Sequence, residues 1–119
     1  MHALFRNAVA HSDGFRDVDP VLLKEHLKDT WLVDVREPNE FVGELGHIEG
    51  AALVPLATLE AAAAGWVRDK EIVVVCRSGA RSARGARALV AMGFTRVMNL
   101  RGGMMGWNEI HYPIVHAAP

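Results

Sequence analysis

A run of four β-branched residues, Ile-Val-Val-Val at positions 72–75, leads directly into Cys76, the single cysteine of the chain. A short apolar run without polar alternation is typical of a strand buried on both faces, and such strands belong to parallel sheets. Helical periodicity begins shortly afterwards and continues over residues 81–92. This stretch therefore predicts a strand, a tight loop and a helix, with Cys76 at the carboxyl end of the strand. Ligands bind at that end in open α/β sheets.

Strand and helix patterns alternate along the rest of the chain. Further strands are predicted at residues 15–18, 31–35, 52–54 and 96–100. Helical patterns connect them, and the first begins with Asp19 as N-cap residue and Pro20 at the first helical position. Because parallel strands are joined by crossover helices that cover both faces of the sheet, the alternation predicts an α/β fold. We expect a five-stranded parallel sheet with helices on both faces.

The chain of 119 residues is long enough for one domain with a buried core. We assign this domain to residues 15–113. Residues 1–14 are an N-terminal extension, in which four apolar residues lie on one stripe of a predicted short helix. This helix is expected to pack on the domain, and a docking arm for a partner is the alternative. Residues 114–119 are a C-terminal tail that we expect to be loosely held.

The loop after Cys76 combines small residues with two arginines. Ser78, Gly79 and Ala80 are small enough to let the loop curl back and aim several backbone N–H groups at one point. The helix that follows presents the partial positive charge of its N-terminus to the sulfur. We therefore expect the Cys76 thiol to ionise more readily than a free cysteine, whose pKa is about 8.5. The alternative is a small buried hydrophobe, which is the usual situation of a free cysteine.

Three segments, in chain order, resemble the motifs of the rhodanese family of sulfurtransferases. The middle segment resembles the family's active-site loop and is Cys76-Arg77-Ser78-Gly79-Ala80-Arg81-Ser82. The first comprises Val-Asp-Val-Arg at positions 33–36, Glu-Phe at 40–41 and Gly-His-Ile-Glu-Gly-Ala at 46–51. The third is Leu-Arg-Gly-Gly-Met-Met-Gly-Trp at 100–107. The resemblance covers about residues 15–113 and implies the same five-stranded parallel sheet.

The resemblance implies that Cys76 is the catalytic nucleophile of a sulfurtransferase and carries the sulfur as a persulfide. The expected donor is thiosulfate or a similar small sulfur donor, and the expected acceptor is cyanide or a thiol, including a protein thiol. The implied substrate-binding residues are Arg77, Ser78, Gly79, Ala80, Arg81 and Ser82. Their backbone N–H groups would hold the persulfide, while the two arginines would steer the dianionic donor and stabilise the departing sulfite.

Three residues of the first motif are predicted to support the site. Asp34 is expected to brace the catalytic loop, which comprises residues 76–82, rather than to act as a general acid, because an ionised nucleophile needs no proton removed. Arg36 is predicted to form a structural pair with Glu40. His47 is expected to position a loop, and the alternative is a base for the thiol.

Composition gives no sign of a nucleic-acid or membrane partner. The formal net charge is −1, and no apolar run approaches the length of a membrane span. A single cysteine excludes an internal disulfide and fits a reducing compartment. Without a secretory signal pattern at the N-terminus, the protein is expected to be cytoplasmic.

No metal or cofactor is predicted, and two other functions stay open. The six histidines show neither a His-Glu-x-x-His motif nor close Cys/His pairs, and the Gly-Gly pair at 102–103 lacks the dinucleotide-binding pattern. A sulfur-relay or sensor module acting with a protein partner would keep the same residues. A thiol phosphatase or arsenate reductase would use a similar anion-binding loop. Loop length separates the phosphatases, because they place five residues between cysteine and arginine, whereas four lie between Cys76 and Arg81.

Overall fold

The sheet of this protein is mixed rather than purely parallel. The computed structural model describes residues 3–11 and 13–119. The strands within these residues number six and are β1 (Val9–Ala10), β2 (Arg16–Val18), β3 (Trp31–Asp34), β4 (Ala52–Leu53), β5 (Ile72–Val75) and β6 (Val97–Leu100). The α-helices are α1 (Ala3–Asn7), α2 (Pro20–Lys24), α3 (Pro38–Phe41), α4 (Leu59–Ala63), α5 (Ala80–Ala91) and α6 (Gly103–Glu109).

Neighbouring strands follow the order β1-β2-β6-β5-β3-β4. All neighbours from β2 to β4 are parallel, whereas β1 lies antiparallel to β2 at the edge. The predicted α/β class is confirmed, and each of the five predicted strands is present. The number of strands in the described residues is corrected to six, because Val9 and Ala10 of the N-terminal extension pair with Asp17 and Arg16. This pairing satisfies backbone groups that β2 would otherwise expose as an edge strand.

Strand β5 lies inside the sheet and is buried on both faces. Its side chains alternate, so that Val73 and Val75 pack on one apolar cluster while Ile72 and Val74 pack on the other. Helices α1, α2 and α6 contribute to the first cluster, and helices α4 and α5 contribute to the second. Burial on both faces is the physical reason for the unbroken apolar run. Cys76 follows β5 and packs with the second cluster.

The C-terminal tail is attached close to its beginning. The backbones of Val115 and His47 exchange two hydrogen bonds, each 2.9 Å between N and O. The Nδ1 atom of His116 also lies 2.8 Å from the carbonyl oxygen of Gly43. Residues 115 and 116 therefore fasten the segment that follows α3, and the expectation of a loosely held tail is wrong for these two residues.

Candidate active site

Cys76 lies where strand β5 ends and the loop to helix α5 begins. The loop turns back at Gly79, whose φ of 112° belongs to the left-handed region that glycine favours. As a result, the N–H of Gly79 points at the Cys76 Sγ, with 3.0 Å between N and S. The cysteine is only 1% exposed, yet its sulfur lies against hydrogen-bond donors. This polar lining is unlike the surroundings of a cysteine that only fills an apolar core.

Two opposing effects act on the pKa of the Cys76 thiol. Burial disfavours the charged thiolate and therefore raises the pKa. Hydrogen bonds to the sulfur lower it. The donors that face the sulfur are the Ser82 hydroxyl, whose one proton other acceptors also compete for, and the backbone N–H groups of Ser82, Gly79 and Ser78. The lowering prevails, so the pKa of Cys76 lies below the ordinary value for cysteine. At a given pH, more of Cys76 is therefore in the nucleophilic thiolate form than of a free cysteine.

The two arginines of the loop have different surroundings. Arg81 binds Glu40 of helix α3 through two hydrogen bonds, Nη1 to Oε1 at 2.7 Å and Nη2 to Oε2 at 2.8 Å. Hydrogen bonding by Arg81 lowers the pKa of Glu40 to about 2, so the carboxylate is charged throughout the physiological range. Arg77 is exposed and forms no ion pair with another residue that the structure describes. Its charge is therefore uncompensated there, whereas that of Arg81 is balanced by Glu40.

Arg36 meets Glu40, its predicted structural partner, only through the backbone, because its Nη1 donates to the Glu40 carbonyl oxygen at 3.3 Å. Its ion-pair partner is Asp34. Both residues of this pair are at most 1% exposed. Nε and Nη2 of Arg36 donate to the two carboxylate oxygens at 2.9 and 2.7 Å, and Nη2 also donates to the carbonyl oxygen of Gly46 at 2.7 Å. The N–H of Arg36 donates to Asp34 as well, at 3.2 Å. Asp34 thus braces Arg36, and through it the segment at Gly46, instead of bonding directly to the catalytic loop.

His47 joins backbone segments. Its Nδ1–H donates to the carbonyl oxygen of Phe41 at 2.7 Å, and its ring stacks on the Phe41 ring with the centroids 3.5 Å apart. The residue is only 5% exposed, and its backbone pairs with Val115. These contacts tie the end of α3 to the tail, and none of those in the described part of the chain involves Cys76. They favour the positioning role over the alternative of a base for the thiol.

A buried polar residue missed by the sequence-based predictions, Asn99, lies beside the catalytic loop. It belongs to strand β6, in register with Val74 of β5, and is 6% exposed. Its Oδ1 accepts a hydrogen bond from the Ser82 hydroxyl at 2.5 Å, and its Nδ2 donates to Asp17 at 3.2 Å. The sequence contained an indication of this role, because asparagine is unfavourable in an apolar strand and a buried amide needs hydrogen-bond partners. The sequence alone could not name those partners.

The first turn of helix α6 holds the catalytic loop from another side. The N–H of Met104 donates to the carbonyl oxygen of Cys76, with 2.9 Å between N and O. The next N–H, that of Met105, donates to the carbonyl oxygen of Arg77 at the same distance. This close approach requires glycine at Gly103, because a Cβ there would lie 2.5 Å from the Arg77 oxygen and 2.6 Å from the Cys76 oxygen. The Gly-Gly pair of the third motif thus serves the backbone contact between α6 and the loop.

Gly103→Ala is expected to displace the loop that carries Cys76 and to reduce both the stability of the protein and the reactivity of Cys76. Gly103 has φ 57°, and a left-handed backbone costs an alanine roughly 1–2 kcal/mol before the steric contact is added. We therefore expect a loss of at least about 2 kcal/mol in the free energy of unfolding. Gly106→Ala is the matched control in the same helix, because its Cβ would meet only the Arg101 oxygen at 3.7 Å. Equal unfolding free energies for the two variants in urea would contradict the steric requirement.

Cavities lie near both ends of strand β5. A smaller one, of about 210 Å³, is on the side of the catalytic loop and is lined by Arg36, Asn39, Glu40, Gly43, Glu44, Leu45 and Arg77. A larger one, of about 780 Å³, has Glu71 in its wall, which directly precedes β5. Arg77, the residue that follows Cys76, lies in the wall of the smaller cavity.

Neither a metal-binding cluster nor a membrane-spanning helix occurs in the part of the chain that the structure describes. Groups of three or more His, Cys, Asp or Glu side chains placed to hold a metal ion are absent from residues 3–11 and 13–119. No helix in these residues is long and apolar enough to cross a bilayer.

A cysteine with a lowered pKa at the strand–loop–helix turn of an α/β fold is the arrangement typical of a thiol nucleophile.

Known proteins match this chain over most of its length. Residues 19–110 match the model of the rhodanese-like domain family. A sulfurtransferase of Allochromatium vinosum is 36% identical over 102 residues, which cover 83% of this chain and 94% of that protein. Thiosulfate sulfurtransferase 18 of Arabidopsis thaliana is 33% identical over 96 residues, with 69% of each protein covered. The crystal structure of a rhodanese-related protein from Thermoplasma volcanium matches with a TM-score of 0.79 at 31% identity, covering 87% of this chain and 100% of that one.

The chain therefore belongs to the family of rhodanese-like sulfurtransferases. Some relatives are longer. The chain spans 59% of the Bacillus subtilis protein YqhL, to which it is 43% identical over 76 residues.

Proposed function

We propose that the protein moves sulfane sulfur from thiosulfate or a similar donor to a thiol or cyanide through a Cys76 persulfide. The observation that carries this proposal is the group of backbone N–H donors around the Cys76 Sγ, of which the N–H of Gly79 lies at 3.0 Å. Such donors stabilise an anionic sulfur, which both halves of the reaction require. The names of two relatives, a sulfurtransferase and a thiosulfate sulfurtransferase, agree with the proposal.

In the first half of the reaction, the Cys76 thiolate attacks the outer sulfur of thiosulfate. A bond forms between Sγ and that sulfur, the S–S bond of thiosulfate breaks, and sulfite leaves with the bonding electron pair. The negative charge of the thiolate is then carried by the terminal sulfur of the persulfide. The backbone N–H groups of residues 77–82 are proposed to hold this terminal sulfur.

In the second half, a thiolate or cyanide attacks the terminal sulfur of the persulfide. The new bond forms as the S–S bond to Cys76 breaks, and the Cys76 thiolate leaves with the electron pair. Covalent catalysis of this kind divides one transfer into two displacements at the same sulfur. Because the nucleophile is an anion in each half, neither Asp34 nor His47 needs to abstract a proton.

The small cavity beside the loop is proposed to admit the donor, with Arg77 as the residue that attracts it. The volume of about 210 Å³ suits a small anion, and Arg77 adjoins the nucleophile in sequence. Arg81 was expected to share this task, but Glu40 balances its charge. Glu40 therefore limits the attraction of a dianion such as thiosulfate to the loop.

Glu40→Gln is expected to lower the KM for thiosulfate by about 1.4-fold to fivefold, because it removes the charge that neutralises Arg81. The ion pair is partly exposed, at 33% for the Arg81 side chain and 26% for that of Glu40. Its interaction free energy is therefore limited to about 0.2–1 kcal/mol. Glutamine keeps an oxygen that can accept the N–H of Glu37, which Glu40 now accepts at 3.0 Å, and so preserves the start of α3.

Glu44→Gln is the matched control for this measurement. Glu44 lines the same cavity and loses the same charge, but Arg81 pairs with Glu40 and not with Glu44. Steady-state assays over a range of thiosulfate concentrations compare the two variants. Equal changes in KM would indicate diffuse electrostatics and would contradict a specific effect through Arg81.

The function itself is tested by incubating the protein with thiosulfate and measuring its mass. We expect the gain of one sulfur atom, which cyanide removes, and steady-state formation of thiocyanate. Persulfide formation without turnover on cyanide would instead favour a relay module that transfers sulfur to a protein partner.

The same preparation is expected to be inactive on p-nitrophenyl phosphate. The catalytic loop is one residue shorter than a phosphatase loop, and Glu40 binds its second arginine, Arg81. Cys76-dependent phosphatase activity would overturn the proposal.

A further inference from the structure

The hydroxyl of Ser82 has a single proton and three acceptors within reach. The Cys76 Sγ and the carbonyl oxygen of Gly79 each lie 3.2 Å from the Ser82 Oγ. The Oδ1 of Asn99 lies at 2.5 Å. A hydroxyl donates one hydrogen bond at a time, so the acceptors compete, and the short distance favours Asn99. The Ser82 oxygen then presents lone pairs to the sulfur instead of its proton.

The orientation of the Asn99 amide is fixed from the far side. Its Nδ2 lies 3.2 Å from Oδ1 of Asp17 on strand β2. An ionised carboxylate only accepts hydrogen bonds, so the NH₂ group must face Asp17 and the amide oxygen must face Ser82. Ser82 is fully buried and Asn99 is 6% exposed, which leaves little room for water to replace either partner.

We propose that Asn99 is a positioning residue that withholds the Ser82 proton from the sulfur of Cys76. The thiolate gains the Ser82 hydrogen bond only when the bond between Ser82 and Asn99 breaks, and a broken bond leaves the buried amide oxygen without a donor. This inference rests on the proposed function, in which Cys76 is the reactive sulfur.

The consequence for the reaction is a balance between forming the anionic sulfur and releasing it. A sulfur that received all available hydrogen bonds would ionise more readily but would be a weaker nucleophile, because nucleophilicity falls as a thiol becomes more acidic. By holding one donor back, Asn99 keeps the thiolate reactive. The backbone N–H groups supply the stabilisation that remains.

Other charged groups around Cys76 are common to all the variants compared below. Arg77 follows it directly, and Arg81 interacts with it electrostatically from helix α5. Arg81 is paired with Glu40 of α3, and the Asp34–Arg36 pair lies at the end of β3. The carboxylate of Asp17 lies behind Asn99 on β2. None of these groups is substituted. Only Asp17 changes its contacts, because Asn99→Leu removes its Asn99 donor, and comparing Asn99→Leu with and without Ser82→Ala controls for that loss.

The test is the rate of Cys76 alkylation by iodoacetamide as a function of pH. Asn99→Leu removes the competing acceptor at similar size, so the Ser82 proton becomes available to the thiolate. We expect the midpoint of the profile to move to lower pH. At a pH well below the midpoint, the rate relative to the high-pH plateau should rise about threefold to tenfold, the equivalent of one ordinary hydrogen bond. Changes in access to the buried sulfur alter the plateau and leave the midpoint in place.

Ser82→Ala separates this role from a merely structural one. In the Asn99→Leu background it should cancel the rise, because the released donor is gone. In the protein with Asn99 present, Ser82→Ala should move the midpoint of the alkylation profile much less than it does in Asn99→Leu, because the Ser82 proton is already bonded to Asn99. A midpoint that stays in place or moves to higher pH in Asn99→Leu would overturn the proposal.

If Asn99→Leu does not fold, as judged by circular dichroism, Ser82→Ala alone decides. A nearly unchanged profile supports the proposal, and a threefold to tenfold slower relative rate overturns it. Iodoacetamide needs no sulfur donor, so these outcomes are independent of whether thiosulfate loads Cys76. Failure of the proposed function would appear only in the persulfide measurement.

Discussion

Cys76→Ser is expected to abolish persulfide formation and to reduce sulfur transfer to the uncatalysed rate. Cys76 is the only thiol of the chain, so no second sulfur can carry the intermediate. The serine hydroxyl is nearly isosteric but stays protonated at neutral pH, and the hydrogen bonds that lower the pKa of the thiol cannot make it an anion. Mass measurement after incubation with thiosulfate and a thiocyanate assay with cyanide both report the loss.

The unfolding transition of Cys76→Ser in urea is the control for this experiment. The buried sulfur has backbone N–H partners whose hydrogen bonds a serine oxygen can also accept, so the fold should persist. A folded variant without activity would support the nucleophile role. A folded variant that still gains sulfur, or still turns over, would contradict the proposed mechanism.

Arg36→Met is expected to lower the free energy of unfolding by about 3–5 kcal/mol, because it leaves the buried carboxylate of Asp34 without its partner. The carbonyl oxygen of Gly46 loses its donor as well. Small domains are typically stable by about 5–15 kcal/mol, so this loss is a large part of the total. The loss is measured by unfolding in urea, provided that the dependence of the unfolding free energy on urea concentration has the same slope in both proteins.

Arg87→Met provides the matched comparison for Arg36→Met. Arg87 also pairs with an aspartate, Asp13, but the two side chains are 48% and 37% exposed. Exposed pairs contribute about 0–1 kcal/mol, so the variant should unfold almost as the natural protein does. Adding Asp34→Leu to Arg36→Met should recover part of the stability, since it removes the stranded charge. Equal losses for Arg36→Met and Arg87→Met would contradict the importance of burial.

The position of the candidate nucleophile follows from local sequence. Four β-branched residues at 72–75 formed a strand at the predicted positions, because only a doubly buried strand suits an unbroken apolar run of that length. The small residues after Cys76 allowed the tight turn at Gly79, and the helix began at Ala80, one residue before the prediction. These features depend on neighbours in the chain, so the sequence predicts them.

The additional strand β1 depended on tertiary structure. Val9 and Ala10 are too short a stretch to carry a strand pattern and were assigned to an extension with a short helix. They pair because β2 lies at the edge of the sheet and has backbone groups to satisfy. The order of strands decides which edge is open, and no local pattern contains that order.

The partners of the polar side chains were also decided by tertiary structure. The sequence-based prediction paired Arg36 with Glu40, four residues away, but the Glu40 carboxylate binds Arg81, which is 41 residues away. Asn99 meets Ser82 because the register of β5 and β6 brings Asn99 level with Val74, near the carboxyl end of β5. The residue types and the turn at Cys76 were readable from the sequence alone. Which charge balances Arg81, and which acceptor holds the Ser82 proton, depends on distances that exist only after the sheet and its helices have packed.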